Sequence, residues 1–319
     1  MQRRIGIVGL GIMGRRLLGA VRRHPGFEPG PLWDPSEAAR ERAGGIAPHA
    51  TIAESAAAVI AEAEVVYLAC PPVPRKDYAL QAAAAGKPVF LEKPLGVDMA
   101  ANRDLVERLS DAGVPSAVNF TQAASPALAE IRRALQAGEM GQLIGIDILV
   151  NYAAWPRAWQ AEADWLRFRA EGGFTREVLS HFLFLSARLA GPLRPVWARP
   201  SFPEQELAET HLLARLESAN GAVVSILGTV GGALPDRQEV TVKGSRRSYR
   251  IVDFYQLEVS DGGPFAVARV PDGDAREEAL HAQLSELAIC VAGQPHGLAS
   301  VEEALAVQQW IEALLVGVD

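Results

Sequence analysis

The sequence predicts an α/β domain built on a parallel sheet, followed by an α+β domain built on a largely antiparallel, open sheet. Three observations carry this expectation. Up to about residue 120, short apolar runs alternate with longer helical patterns, the arrangement that βαβ units require. A glycine-rich turn at 9–14 stands between the first apolar run and the first helical pattern. From about residue 195 the chain strings short strands together through glycine turns, which suits an antiparallel sheet with helices on one face. The two domains are accordingly expected over 1–120 and 121–319, with the last helix able to pack back on the first domain.

In order, residues 5–8 form a buried strand, and the helix after the glycine turn runs to about Arg23. Leu32-Trp33 is a short second strand, weakened by Pro29, Gly30 and Pro31 at its entry. The run 65–69 is a clean third strand that stops at Pro71-Pro72. A helix from about 76 to 85 follows, ended by Gly86 and Pro88. A strand at 89–91, a helix opened by Asp98 and a strand at 117–120 complete the first domain. Pro126 then opens a helix to near Gly138, and 143–152 is one long strand. Strands at 212–216 and 223–227 flank Asn220-Gly221, a hairpin signal because both residues accept positive φ. Short strands at 240–242, 249–252 and 257–259 follow, and helices at about 275–291 and 301–315 close the chain. The alanine-rich stretches near 56–61 and 82–85 read as ordinary helix, and there is no internal repeat.

The 319 residues are 49% hydrophobic and 22% charged, enough for about two domains with real cores. A net charge of −7 argues against nucleic acid or an anionic membrane as partner. Cys70 and Cys290 are the two cysteines, without the close Cys/His spacing that zinc needs, so no metal is expected. So few cysteines suit a reducing compartment. The apolar run behind Arg3-Arg4 is broken by glycines and flows into a helix, unlike a secretory leader. With no apolar stretch of about 18 residues to span a bilayer, a cytoplasmic protein is expected.

Gly9, Gly11 and Gly14 follow a strand and open a helix, the context in which this spacing marks a dinucleotide-binding Rossmann domain. Gly9 permits the tight turn, Gly11 lets backbone approach a pyrophosphate, and Gly14 lets helix pack on strand. Ile12 and Met13 lie in the same turn, where free helix N–H groups face the phosphate. Asp34 stands about 20 residues on, where a carboxylate accepts from ribose hydroxyls and repels a 2′-phosphate. The reading favours NAD and leaves NADP open. Asp34-Pro35 is equally a good helix start, and the two roles can coexist.

Two further segments carry chemistry. Glu92-Lys93-Pro94 lies at the carboxyl end of a predicted sheet strand, where open α/β folds place ligands. A lysine there would feel the positive charge of an oxidised nicotinamide, which lowers its pKa toward a useful value. In the segment 171–181, Glu177 and His181 are four apart and share a face if the segment is helical, so the carboxylate can fix the imidazole's tautomer. Before them come Tyr152, Trp155, Trp159, Trp165, Phe168 and Phe174. Their rings could stack on a sugar, and Arg157, Arg167 and Arg169 could hold an acid group; equally, the aromatics could fill a domain interior.

Together these residues resemble the glucose–fructose oxidoreductase/inositol dehydrogenase/rhizopine catabolism (Gfo/Idh/MocA) family. The resemblance runs through the glycine turn, Cys70-Pro71-Pro72, the Ala-Gly-Lys…Glu-Lys-Pro segment 85–94, the Gly-Glu-Met-Gly-Gln-Leu segment 138–143 and the glycine-led Glu177/His181 segment. It implies NAD(P) across the Rossmann sheet and a small-molecule substrate between two domains. Lys93 and His181 match the family's catalytic lysine and histidine, with Glu177 orienting the histidine. Glu92 would lie near the nicotinamide ribose, and Cys70, Pro71 and Pro72 near the cofactor. Asn119, Gln122, Tyr152, Trp155 and Trp165 are expected at the substrate. The open face of the second sheet implies a homodimer or homotetramer. The chain departs from the family in having Glu177 for the usual aspartate, Leu179 for a glycine and Phe184 for an aspartate. A histidine common after the Pro-Pro segment is replaced near Arg75-Lys76, and the run 119–122 lacks a frequent arginine. The implied activity is oxidation of a carbinol in a sugar, sugar acid, cyclitol or cyclic diol. Reduction of an imine or enone, and a non-catalytic dinucleotide-binding regulator, remain the other readings.

Overall fold

The computed structural model describes residues 2–319. The chain divides into two compact units, one of residues 1–124 with 276–305, the other of 125–275 with 306–319.

The first unit holds β1 (Arg3–Val8), α1 (Ile12–Val21), β2 (Phe27–Trp33), α2 (Glu37–Ile46), α3 (Ala56–Glu62), β3 (Val65–Leu68), α4 (Pro72–Ala84), β4 (Val89–Glu92), α5 (Met99–Ala112) and β5 (Ser116–Asn119). The five strands are parallel in the order β2-β1-β3-β4-β5. Strand order reverses between β1 and β3, and ligands of open α/β sheets bind outside the carboxyl ends at such a point. The core is continuous from Ile5, Ile7, Leu17 and Phe27 through Tyr67 and Phe90 to Leu284 and Leu287.

Two elements differ from the sequence expectation, both because of proline. β2 is seven residues long, although Pro29 and Pro31 lie inside it. It is the edge strand, where a missing N–H costs least. α4 starts at Pro72, not near residue 76. The N–H groups of a helix's first turn have no intrahelical acceptor, so Pro72 and Pro74 are tolerated there. Asp98 does cap α5, accepting from the N–H groups of Ala100 and Ala101.

The second unit contains α6 (Pro126–Gln136), β6 (Leu143–Tyr152), α7 (Ser180–Ala190), β7 (Leu193–Ser201), β8 (His211–Ser218), β9 (Val223–Val230), β10 (Arg237–Gly244), β11 (Ser248–Val252), β12 (Gln256–Ser260) and β13 (Ala266–Arg269). Two helices follow, α8 (Ala275–Val291), grouped with the first unit, and α9 (Val301–Val316), within which the division falls. The eight strands run β13-β12-β11-β10-β6-β9-β8-β7, antiparallel except for the β6/β9 pair. Burial alternates strictly along β8, so one face of the sheet meets the core. The other face carries Leu213 and Leu227, paired across β8 and β9 and each more than 40% exposed. Among the described residues no helix is long and apolar enough to cross a membrane.

Candidate active site

The loop after β1 is built around close backbone approach. Gly9 has φ +98°, and a Cβ on it would lie 2.4 Å from the Cys70 nitrogen. The loops that follow β1 and β3 therefore touch, on either side of the switch point. A Cβ on Gly14 would sit 1.9 Å from the Gly9 carbonyl oxygen, so only glycine lets α1 start this near the strand. Outside Gly11 the space is open, with nothing within 4 Å of an added Cβ, and no side chain caps α1. A pyrophosphate fits that arrangement: bare N–H groups at a helix start, with room in front of them.

Asp34 braces the loop from the end of β2. Its Oδ2 accepts from the Leu10 N–H at 2.7 Å and its Oδ1 from the Ser36 N–H at 2.8 Å. The α2 cap is Ser36, which accepts from the Ala39 N–H, and not Asp34. Each carboxylate oxygen keeps a second acceptor position for a ribose hydroxyl.

Lys93 follows β4 directly, on a turn held from behind by buried polar groups. Arg75, 3% exposed in the first turn of α4, reaches the carbonyls of Cys70, Glu92 and Pro94. Its Nη1 lies 2.5 Å from the Glu92 oxygen, and its Nε and Nη2 lie 3.2 and 2.5 Å from the Cys70 oxygen. Two of these carbonyls belong to the neighbours of Lys93, and the third to the loop that touches Gly9. Burial pulls the guanidinium below its ordinary pKa, opposed by the nearby Cys70, Glu92 and Tyr67. The Glu92 carboxylate is buried and accepts hydrogen bonds from the Tyr67 hydroxyl and from the Asn119 amide N–H, the latter at 2.7 Å. Desolvation holds Glu92 above the ordinary carboxyl range and Tyr67 well above the ordinary phenol range. Asn119, expected at the substrate, donates from its amide to Glu92, because a buried carboxylate needs donors. Gln122 is likewise wholly buried.

In the second unit the Glu177/His181 segment is not one regular α-helix. Thr175–Leu179 forms a π-turn that runs into α7. Such turns recur at functional sites. Glu209, 2% exposed, anchors the turn by accepting the Thr175 N–H at 2.7 Å, and desolvation raises its pKa. Arg176 forks onto Glu312 at 2.7 and 2.8 Å and donates to the carbonyls of Arg169 and Gly172. Glu177 accepts from Gln160 at 3.2 Å, and Gln160 accepts from the Arg157 Nε at 2.9 Å.

The aromatic cluster divides. Tyr152 and Phe174 are wholly buried and fill the interior, so neither offers a ring face to a ligand. Trp155 lies between them, with centroids at 5.4 and 6.3 Å, and donates its indole N–H to the Leu166 carbonyl. Trp165 is half-buried, while Trp159 is 41% exposed with the Arg157 guanidinium 4.6 Å from its ring. Sequence reasoning did not find Tyr67, Arg75 or Gln160. The one signal at hand was a polar-tipped Tyr67 inside an aliphatic strand.

A glycine turn on a parallel sheet, joined to an α+β unit with an open antiparallel sheet, defines a two-unit dinucleotide-binding protein. Comparison with known proteins makes the assignment specific. Residues 3–120 match the oxidoreductase family, NAD-binding Rossmann fold, of the Gfo/Idh/MocA group, and residues 128–250 match the C-terminal domain of the same group. The chain belongs to the Gfo/Idh/MocA family, and its first unit carries an NAD-binding Rossmann domain. An oxidoreductase of Formosa agariphila is 27% identical over 187 residues, 57% of each chain. Inositol 2-dehydrogenase 2 of Saccharopolyspora erythraea is 28% identical over 236 residues, 71% of this chain and 66% of that one. The chain thus spans between half and two thirds of the length of these curated relatives. An Agrobacterium radiobacter oxidoreductase solved with NAD⁺, L-tartaric acid and magnesium shares the fold, with a TM-score of 0.86 at 15% identity over 100% of this chain and 98% of that one.

Proposed function

We propose that this protein is an NAD-dependent dehydrogenase acting on a CH–OH group of a sugar, sugar acid, cyclitol or related cyclic diol. The observation that carries the reading is Lys93 on a braced turn at the carboxyl end of β4, in the same unit as a glycine cradle that fits a pyrophosphate. The inositol dehydrogenase among the relatives supports the substrate class.

Bound NAD⁺ supplies the hydride acceptor. Gly9, Gly11, Ile12, Met13 and Gly14 hold its pyrophosphate, Asp34 its adenosine ribose, and Cys70, Pro71, Pro72 and Glu92 line the nicotinamide end. Lys93 Nζ takes the hydroxyl proton of the substrate, a transfer of the kind that contributes roughly 10²–10⁴-fold. His181 hydrogen-bonds the same oxygen or relays that proton. Glu177, itself held by Gln160, orients the imidazole. Trp155 and Trp165 border the substrate. A second copy of the chain covers the open sheet face at Leu213 and Leu227, which sedimentation at several concentrations tests.

The test is absorbance at 340 nm with NAD⁺ and a panel of aldoses, sugar acids, inositols and cyclic diols, with Lys93→Ala in parallel. Turnover by wild type that is lost in the variant is expected. Turnover that survives Lys93→Ala removes Lys93 from the chemistry. Tight NADH binding with no turnover on any compound favours imine reduction or a regulator.

A further inference from the structure

We propose that Phe254, at the tip of the β11–β12 hairpin, is a positioning residue for His181; the proposal rests on the acid–base role given to His181 above. Val252 pairs with Gln256, which leaves Asp253, Phe254 and Tyr255 to reverse the chain. Asp253 has φ 49° and Phe254 φ 71°, the two non-glycine residues among those described with positive φ. Aspartate tolerates the left-handed region through local hydrogen bonding, whereas a bulky aromatic there is a true outlier. Glycine at 254 would relieve the strain, so turn chemistry does not explain the phenylalanine. Filling the core does not explain it either, because Phe254 is only partly buried.

Its ring contacts do explain it. Phe254 meets the His181 imidazole nearly perpendicular, at 80° and 5.6 Å between centroids. It also packs on Phe182 at 4.8 Å and on Tyr255 at 6.1 Å. The hairpin is fixed from its other side, where the Asp253 N–H donates to the Gln238 carbonyl of β10. His181 stands in the first turn of α7, just after the π-turn, and is buried, so the side chains packed around it limit its ring direction. A ring set edge-to-face against the imidazole limits rotation about its Cβ–Cγ bond. Strained backbone of this kind persists where the surroundings over-determine it, and it clusters at functional sites.

The test compares Phe254→Gly, Phe254→Leu, His181→Gln and the Phe254→Gly/His181→Gln double variant, all as NADH complexes. The first readout is the His181 Cε1–H resonance, assigned by its loss in His181→Gln. The second, measured with NAD⁺ in place of NADH, is kcat and KM with myo-inositol or, if wild type does not oxidise it, with the panel compound that wild type turns over fastest. Phe254→Gly should be at least as heat-stable as wild type, yet its His181 resonance should lose the ring-current shift. Its kcat should fall roughly tenfold or more, the scale on which small misplacements act, with KM within about twofold. Phe254→Leu should recover part of kcat, and in the His181→Gln background Phe254→Gly should cost nothing further. An unmoved resonance in Phe254→Gly, or losses that multiply in the double variant, overturns the proposal. His181→Gln as active as wild type, or no turnover by wild type of any compound in that panel, overturns the catalytic half of the claim, while the resonance still decides the positioning half.

Discussion

Replacing Arg75 by methionine keeps the length of the side chain and removes every donor that holds the Lys93 turn from α4. The guanidinium makes four hydrogen bonds to three carbonyl oxygens, those of Cys70, Glu92 and Pro94. Once it is gone, those oxygens have no donor there in an interior where Arg75 itself is 3% exposed. A buried acceptor left unsatisfied costs about 1–3 kcal/mol, so three cost about 3–6 kcal/mol after partial relaxation and water entry. The guanidinium's own desolvation, which its lowered pKa reflects, is recovered and offsets part of this. A net loss of about 3 kcal/mol is expected, a large share of a typical total of about 5–15 kcal/mol. For a unit of this size it corresponds to a fall in Tm of about 6–12 °C. Thermal unfolding followed by circular dichroism measures it, and amide hydrogen exchange across 92–95 shows whether the loosening is local. NADH affinity should fall with it, because the Cys70 loop borders the glycine turn. Arg75→Lys should recover only part, since an ammonium lacks the planar fork that reaches three carbonyls. Arg75→Met within 1 kcal/mol of wild type, with unchanged exchange on this turn, would refute the clamp.

Four further outcomes are expected. Tyr67→Phe removes a donor from the buried Glu92 carboxylate and should cost about 1–3 kcal/mol in urea unfolding; no loss means that the hydroxyl is dispensable. Gly14→Ala drives a Cβ into the Gly9 carbonyl, and an overpacking cost of about 1–3 kcal/mol should weaken NADH binding, by fluorescence titration, roughly tenfold. Asp34→Ser should narrow the preference for NADH over NADPH, and an unchanged ratio of Kd values removes Asp34 from selectivity. Glu209 has its folded pKa raised by burial, so above the ordinary carboxyl range the folded chain keeps a proton that the unfolded chain has released. Stability should therefore fall as pH rises through that window, and Glu209→Gln should flatten the profile of urea midpoints from pH 4 to 8.

The parts of the site legible in the sequence are those whose function depends on neighbours in the chain. Gly9 to Gly14 need only a strand before them and a helix after, and Glu92-Lys93-Pro94 needs only a strand end. Proline misled the reading in two places because its cost depends on position. Pro29 and Pro31 look like strand breakers until β2 is known to be an edge, and Pro72 looks like a loop until it is known to stand in a first helical turn, where a missing N–H costs nothing. The π-turn over Thr175–Leu179 was not foreseen, because a single sequence carries no sign of that irregularity. The aromatics were ambiguous for another reason: composition cannot tell Tyr152, wholly buried, from Trp159, which is exposed.

The supports behind the reactive groups were illegible on the same physical ground in both units. Lys93 stands on carbonyls held by Arg75, 17 and 19 residues from its two partners on that turn. The turn that carries Glu177 hangs from Glu209, 34 residues beyond Thr175. Arg75 and Glu209 are buried, ionisable and bonded mainly to backbone, so each would be costly anywhere except where the fold brings those backbone groups together. Their position is a consequence of the tertiary structure and cannot be read from local pattern. The same logic gives them their purpose. A charged group whose satisfaction depends on two separate loops lowers the free energy only when both loops are in place. Arg75 thereby ties the Lys93 turn to the Cys70 loop, and so to the glycine cradle, as one unit that forms or loosens together.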